Sequence, residues 1–403
     1  MSQQVESSKE SKSSLKTAFR IEKQRFNWID QARGFVMFLL VLMGSLPSEW
    51  REANALTYFF LTHPQNAATV QYMNLYDLGV PAFFSIIGLL MAVSFKKRVE
   101  SKGNGPAVLH ALVRWGLVSV VGILFIIIPA VFENRPVETW FGEMKTIAPG
   151  VIWYVVTWDV VIALGFVGLA CIPFLFVPRN YRLIISYAMM SFYQVMIFIP
   201  ETHWRDYAAN SAHGGILGGI FVMIPITLIA SVIGEFSILD KETSAAEKAK
   251  KSMLLGLVNA IIGLVLWLIP GGYPNKVQST MSWATISLAV CIFVGHLFVK
   301  SDYKDEDFPK MNPFNKARIV LFKSYGMNPF LIYVIAGATK TVIKALVGSS
   351  FEISLIGCLI MVPAITMIAY LLYRKGKAIS TTEVALAVII IIVALSIIII
   401  PFL

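Results

Sequence analysis

Four ionisable side chains interrupt long apolar stretches of the sequence: Arg114, Asp159, Lys340 and Lys344. An unpaired charge at bilayer depth costs several kcal/mol, so such a side chain usually faces a cavity or a charged partner. Arg114 and Asp159 have opposite charges, and we expect them to pair across neighbouring helices. Lys340 and Lys344 lie one turn apart near a helix end. Their amines can extend to the membrane surface, and this interpretation accounts for the two lysines as well as a functional role does.

Five histidines add candidates for proton transfer, because a neutral imidazole accepts a proton near pH 7. His63, His203 and His213 lie between apolar stretches, whereas His110 and His296 lie near the ends of such stretches. For any one of them, an ordinary hydrogen-bonded histidine is the alternative. The pattern alone therefore selects no catalytic residue.

The apolar stretches that carry these residues are long enough to cross a membrane. Of the 403 residues, 57% are hydrophobic and 14% are charged, and the mean hydropathy is +0.70. We predict an all-α polytopic membrane protein of about eleven transmembrane helices, since a bilayer core requires about 20 apolar residues per helix. The apolar runs that predict these spans are 34–47, 78–95, 108–129, 150–177, 181–200, 214–236, 252–270, 281–300, 328–348, 352–373 and 383–402. Because the first run is short, we expect the first helix to begin earlier, near Trp28.

The chain divides into a short tail and one membrane domain. Residues 1–25 are rich in Ser, Lys and Glu and predict a disordered cytoplasmic tail. Residues 26–403 predict a single transmembrane helical domain. The three cysteines have no paired spacing, so the sequence indicates neither a disulfide framework nor a metal site.

Lysine and arginine predict the orientation of the chain, because cytoplasmic loops retain them. With the N-terminus in the cytoplasm, the basic residues of the tail and of the loops around 96–102, 179–182, 241–251, 300–323 and 374–377 all lie inside. The other loops hold few basic residues, and the C-terminus lies outside. The net charge of +10 is spread over short loops, which argues against nucleic acid as a partner. No Asn-x-Ser/Thr sequence occurs in the predicted outer loops, which favours a bacterial cytoplasmic membrane.

Several segments between about 30 and 348 resemble the transmembrane acyltransferase family of heparan-alpha-glucosaminide N-acetyltransferase and its bacterial relatives. The most specific is Gly326-Met327-Asn328-Pro329, which is similar to the start of the family's ninth helix. Arg114 lies where the family has an arginine in its third helix. The other similar segments, in the order of the family, are 30–34, 76–88, 149–152, 214–218 and 274–280.

The resemblance implies transfer of an acyl group, acetyl above all, from cytoplasmic acyl-CoA to an amine or hydroxyl of an extracytoplasmic sugar. His63 occupies the position of the family's catalytic histidine, and Asp77 would orient its imidazole. The cationic residues placed to hold the CoA pyrophosphate are Arg33, Lys96, Lys97 and Arg114, with Asn328 as a neutral hydrogen-bonding group. The implied partners are the lipid bilayer, acyl-CoA and the sugar acceptor.

The sequence also departs from the family pattern and leaves alternatives open. Trp153-Tyr154, Ala212-His213 and Gly44-Ser45 replace residues that the family usually has, which points to a different acceptor, a different acyl group or lost activity. The rival function is a transporter or flippase for an envelope glycan or lipid precursor, and a third is an inactive membrane scaffold. Direct transfer, transfer through an acyl-histidine and assembly as a homodimer all stay open.

Overall fold

The structure is a computed structural model that describes residues 27–46, 73–132, 135–299, 319–347 and 351–399. About 80% of these residues are helical, in agreement with the predicted all-α class. The main helices of the described ranges, numbered in chain order, are α1 Asn27–Ser45, α2 Gly79–Lys102, α3 Asn104–Phe132, α4 Val160–Cys171, α5 Arg179–Phe198, α6 Trp204–Ala209, α7 Ala212–Leu239, α8 Ala245–Trp267, α9 Met281–Val299, α10 Val320–Met327, α11 Pro329–Val347, α12 Phe351–Arg374 and α13 Thr381–Ile399.

Five helices of the described ranges are long and apolar enough to cross a membrane, namely α2, α3, α7, α8 and α9. Shorter apolar helices are found at 160–176, 329–339, 358–374 and 381–392. These helices support a membrane protein that associates with the lipid bilayer. The total of eleven spans and the sides on which the termini lie stay predictions, and residues 1–25 lie outside the described ranges.

The predicted helical span 150–177 is wrong at its start. Residues Gly142–Ala148 (β1) and Val151–Val156 (β2) form an antiparallel hairpin, and α4 begins only at Val160. Gly150 lies in the turn with a φ of 75°, which glycine adopts without steric cost. The run Val151–Val156 consists of β-branched and aromatic residues, which suit a strand, and a continuous apolar run does not by itself distinguish strand from helix.

Helices approach one another closely at glycines of the segments 30–34 and 76–88. A Cβ atom on Gly88 of α2 would lie 2.1 Å from the carbonyl oxygen of Thr227 on α7. A Cβ atom on Gly34 of α1 would lie 1.6 Å from the carbonyl oxygen of Phe322 on α10. Small residues at such contacts allow helix backbones to approach closely in a membrane. The glycines of the quoted motifs thus hold α1 against α10 and α2 against α7.

The predicted orientation can be tested at two exposed positions, Glu138 and Ser244. Glu138 lies beyond the C-terminal end of α3, whereas Ser244 precedes α8 at the opposite end of the bundle. We expect Glu138→Cys to react with a membrane-impermeant thiol reagent on intact cells, and Ser244→Cys to react only after lysis. The wild-type protein is the control, since Cys171 and Cys358 are buried and Cys291 is half-buried. Labelling of Ser244→Cys on intact cells contradicts the orientation.

Candidate functional site

A buried ion pair lies at the N-terminal end of α2, which we call the Asp77 end of the bundle. The Lys276 Nζ atom is 3.6 Å from Asp77 Oδ1, and the two side chains are 7% and 2% exposed. The backbone N–H of Asn74 donates to Asp77 Oδ2 at 3.0 Å, and Trp283 Nε1 donates to the Asp77 carbonyl at 3.3 Å. Burial lowers the pKa of Lys276, and the neighbouring Asp77 carboxylate opposes this shift. The pair is therefore a buried polar site at this end of the bundle.

The loop 275–280 surrounds this pair with further buried polar groups. The backbone N–H of Gln278 donates to Asn275 Oδ1 at 2.9 Å, and the Asn275 N–H donates to Thr280 Oγ1 at 2.9 Å. The Tyr193 hydroxyl donates to the Gln278 carbonyl at 2.8 Å, which ties the loop to α5. These bonds satisfy polar groups that would otherwise be costly to bury. They also hold Lys276 rigidly beside Asp77.

The start of α7 packs against the same loop and brings His213 to it. The Gly214 N–H donates to the Val277 carbonyl at 2.6 Å. His213 and Ser279 have φ angles of 52° and 51°, in the left-handed region that such residues seldom adopt. His203 has a similar φ of 55°, so the contact with the loop 275–280, rather than the backbone conformation, distinguishes His213. His213 is therefore a histidine that lies beside the Asp77 end of the bundle.

The predicted catalytic histidine, His63, lies outside the described residues, so the pairing of His63 with Asp77 stays a prediction. The described ionic partner of Asp77 is Lys276. His203 instead precedes the nearby helix α6 as its N-cap residue, and its Nδ1 atom is 3.2 Å from Asp206 Oδ2. Both side chains of that pair are partly exposed.

A second group of charges lies where α2 ends and α3 begins, which we call the Arg98 end. Arg98, His110 and Arg114 line a small cavity of about 30 Å³. Arg33 and Arg98 interact electrostatically with Arg114. The Nε atoms of Arg98 and Arg114 are buried, and neither has a hydrogen-bond partner among the described residues. Arg114 is held by Thr381, whose Oγ1 accepts from Nη2 at 3.3 Å, and by the Trp115 ring, whose centroid is 4.9 Å from the guanidinium carbon.

The structure gives the other predicted cofactor residues different surroundings. Arg33 forms an ion pair with Asp30 one turn earlier. Lys96 binds Glu235, with Nζ 2.7 Å from Oε2, while Lys97 is exposed. Arg33 thus lies near Arg114, whereas Lys96 is engaged with α7.

Asn328 is buried and fixes the segment between α12 and α13. Its Nδ2 atom donates to the Lys377 carbonyl at 3.0 Å, and its Oδ1 atom accepts from the Ile379 N–H at 2.6 Å. The same segment leads directly to Thr381, the partner of Arg114. The side chain of Asn328 therefore supports the wall beside Arg114.

The expected pairing of Arg114 with Asp159 is wrong. Asp159 is exposed and precedes the first residue of α4. Helices α3 and α4 run antiparallel, since a Cβ on Gly122 would contact Ile162 and one on Gly168 would contact Trp115. The start of α4 therefore lies more than two helical turns along α3 from Arg114.

Sequence reasoning missed a buried charge network that joins α2, α5 and α7. Arg182 is 0% exposed and forms an ion pair with Glu235, which also binds Lys96. The Arg182 Nη1 atom donates to the Ser231 hydroxyl at 2.6 Å. Glu235 lies inside the predicted span 214–236. A charged residue inside an apolar span indicates a buried partner, and this was the signal that could have revealed the network. From the sequence alone, Arg182 is one of the basic residues that predict a cytoplasmic loop.

Arg98 and Lys276 also belong to the two sites, although neither was predicted as a site residue, and His110, one of the five candidate histidines, lines the cavity at the Arg98 end. Arg98 follows Lys97 in the basic run that predicts a cytoplasmic loop, and Lys276 is one of the few basic residues of the predicted outer loops. Among the described residues, no group of three His, Cys, Asp or Glu side chains is arranged to hold a metal ion. The cationic side chains Arg98 and Arg114 line the small cavity at the Arg98 end. Comparison of the chain with family models gives no match, and neither does comparison with curated proteins.

Proposed function

We propose that the protein is a transmembrane acyltransferase of a bacterial cytoplasmic membrane. It moves an acyl group from cytoplasmic acyl-CoA to an amine or hydroxyl of an extracytoplasmic sugar or glycan. The observation that supports this most is the separation of two polar sites along α2. Asp77 and Arg98 are about 30 Å apart along the helix axis at ~1.5 Å per residue, which is about the thickness of a bilayer core. Transfer of an acyl group from a cytoplasmic donor to an acceptor outside requires a donor site near one membrane surface and an acceptor site near the other.

The Arg98 end suits the donor. The pyrophosphate of CoA is anionic, and guanidinium groups bind phosphate through paired charge-assisted hydrogen bonds. Arg98 and Arg114 line one cavity, and Arg33 lies within electrostatic range of Arg114. In this proposal Arg98 is a further residue of the donor site, and Lys97 is an exposed cation at its entrance. Asn328 supports the wall of the cavity.

The Asp77 end suits the acceptor. A neutral His63 would take the proton of the acceptor amine or hydroxyl as that group attacks the thioester carbonyl. The carbon–sulfur bond then breaks, the acyl group stays on the acceptor, and CoA leaves as the thiol after protonation. In the covalent version the imidazole nitrogen attacks first and carries the acyl group to the acceptor. Asp77 and Lys276 supply the buried charges beside which this chemistry would occur.

The donor site is tested by titration of CoA into purified protein, followed by calorimetry. Loss of one charge-assisted phosphate contact costs about 1.5–3 kcal/mol, so we expect Arg114→Ala to bind CoA about 10- to 100-fold more weakly than wild type. Arg98→Ala should weaken binding in the same direction. The matched control is Arg179→Ala, an exposed arginine on α5. Equal affinity for wild type and Arg114→Ala removes that residue from the donor site.

A transporter or flippase is the second candidate, because an apolar groove among the described helices extends for about 22 Å along α1 at ~1.5 Å per residue, which is more than one leaflet of a bilayer core. A flippase moves its substrate without changing it covalently. Release of free CoA from acyl-CoA, dependent on an added amine acceptor, therefore favours the acyltransferase. Movement of a labelled lipid across proteoliposomes without CoA release favours the flippase.

A further inference from the structure

A half-open apolar groove of about 210 Å³ runs between α1, α2, α7, α8 and α9. Met43 and Leu78 line it at the Asp77 end, and Trp28 and Lys248 line it at the Arg98 end. From Trp28 to Met43 the groove follows α1 for about 22 Å at ~1.5 Å per residue. One leaflet of a bilayer core is about 15 Å thick. The groove is therefore long enough to hold a complete hydrocarbon chain.

The polar groups of the groove are concentrated at one end. Ser237, Lys248, Ser252 and His296 line it at the Arg98 end, Ser85 lies between the two ends, and the remaining lining towards the Asp77 end is apolar. The Lys248 ammonium donates to the carbonyl oxygen of Asp240 and interacts electrostatically with the Asp240 carboxylate, and these contacts hold it at the mouth of the groove. An ammonium group has three donors, so it can also bind a phosphate. An amphiphile with an anionic head group matches this distribution of charge.

We propose that the groove binds an anionic phospholipid, with its phosphate beside Lys248 and one acyl chain along α1 and α9. The lipid enters from the leaflet at the Arg98 end, because the cationic residue of the lining lies there. This inference does not depend on acyl transfer and holds for either candidate function.

The acyl chain of the CoA donor is a poorer occupant, for a geometric reason. The groove is lined by Ala82, Ile86 and Leu89 of α2, whereas the arginine cavity is lined by Met91, Phe95 and Arg98 of the same helix. At 3.6 residues per turn these two sets lie on opposite sides of α2. A donor with its phosphates at Arg98 and Arg114 therefore has the body of α2 between it and the groove.

Native mass spectrometry of the full-length protein, titrated with phosphatidylglycerol or phosphatidylcholine of the same chains, tests the proposal. We expect wild type to bind phosphatidylglycerol more tightly than phosphatidylcholine. Lys248→Gln should weaken phosphatidylglycerol binding about fivefold and leave phosphatidylcholine binding nearly unchanged. The charge control is Lys251→Gln, which removes an exposed lysine paired with Glu247 at 2.8 Å.

A second variant fills the groove. A Cβ atom on Gly295 meets no atom within 4 Å, so Gly295→Phe extends into the groove without a backbone clash. We expect binding of both lipids to fall about tenfold or more, since several buried methylene groups lose their contacts. Gly116→Phe on α3 is the control, because a Cβ there also meets no atom within 4 Å and Gly116 does not line the groove. Gly295→Leu is the smaller variant if Gly295→Phe fails to fold.

Three results overturn the proposal. One is unchanged phosphatidylglycerol binding in a folded Gly295→Phe or Gly295→Leu protein. Another is equal affinity of wild type for the two lipids, which indicates ordinary bilayer lipid at this surface. The third is displacement of the lipid by palmitoyl-CoA in wild type and Arg114→Ala alike, which makes the donor chain the occupant.

Discussion

His63→Ala is expected to abolish most acyl transfer while the protein stays folded and still binds CoA. Loss of a positioned general base lowers a rate by about 10²- to 10⁴-fold, and loss of a covalent carrier lowers it further. Donor binding should not change, because we place the CoA phosphates at the opposite end of α2. The measurements are the melting temperature, CoA affinity and acylation of a glucosamine-type acceptor by the purified variant.

The structure supplies the comparison variants for this experiment. His213 lies beside the loop 275–280, whereas His203 is a partly exposed residue paired with Asp206. His203→Ala is therefore the control and should retain near-normal turnover. Near-normal turnover of a well-folded His63→Ala protein rejects the catalytic assignment, and His213→Ala then becomes the variant to measure. A burst of CoA release before steady turnover distinguishes the covalent route from direct transfer.

Arg182→Ala is expected to cause a large loss of stability, of about 3–5 kcal/mol in the free energy of unfolding. Arg182 is completely buried, and its removal takes away both an ionic partner of Glu235 and the donor to Ser231. Glu235, only 7% exposed, then has Lys96 as its described ionic partner. Thermal unfolding of the purified protein in detergent, with and without the substitution, measures the effect.

Two further variants distinguish the effect of losing the Arg182–Glu235 ion pair from the effect of losing any positive charge. Arg179→Ala removes an exposed arginine from the same helix and should change the melting temperature little. Arg182→Met combined with Glu235→Leu should be more stable than Arg182→Ala, since it leaves no buried carboxylate without its arginine. A melting temperature of Arg182→Ala equal to that of wild type contradicts a structural role for the network.

Hydropathy was a good guide to the helices and a poor one to the hairpin. Runs such as Met281–Val299 are long, apolar and helical, as the need for a backbone that satisfies its own hydrogen bonds in lipid predicts. Val151–Val156 is equally apolar but is a strand paired with Gly142–Ala148. The sequence did not reveal this pairing because it depends on the turn at Gly150 and on packing against Tyr207 of α6.

The polar sites were only partly predictable for a related reason. Arg33 and Arg114 were singled out separately, and the packing of the bundle brings them within electrostatic range of each other. Lys276 was seen as a loop residue, because its burial depends on how the loop 275–280 folds back onto Asp77. Arg182 was counted as a cytoplasmic marker, since a basic residue near a helix end has the same appearance in sequence whether it faces water or a buried glutamate.

In the proposed reaction, acyl-CoA on one side of the membrane donates its acyl group to an acceptor on the other side. The most direct test uses purified protein in sealed proteoliposomes, with radiolabelled acetyl-CoA added outside and a glucosamine-bearing oligosaccharide trapped inside. We expect labelled oligosaccharide to accumulate inside the vesicles with wild type, and to be greatly reduced with His63→Ala and Arg114→Ala. If wild type neither labels the trapped sugar nor releases CoA, although it is folded and inserted with its Arg98 end outward, the acyltransferase proposal is wrong.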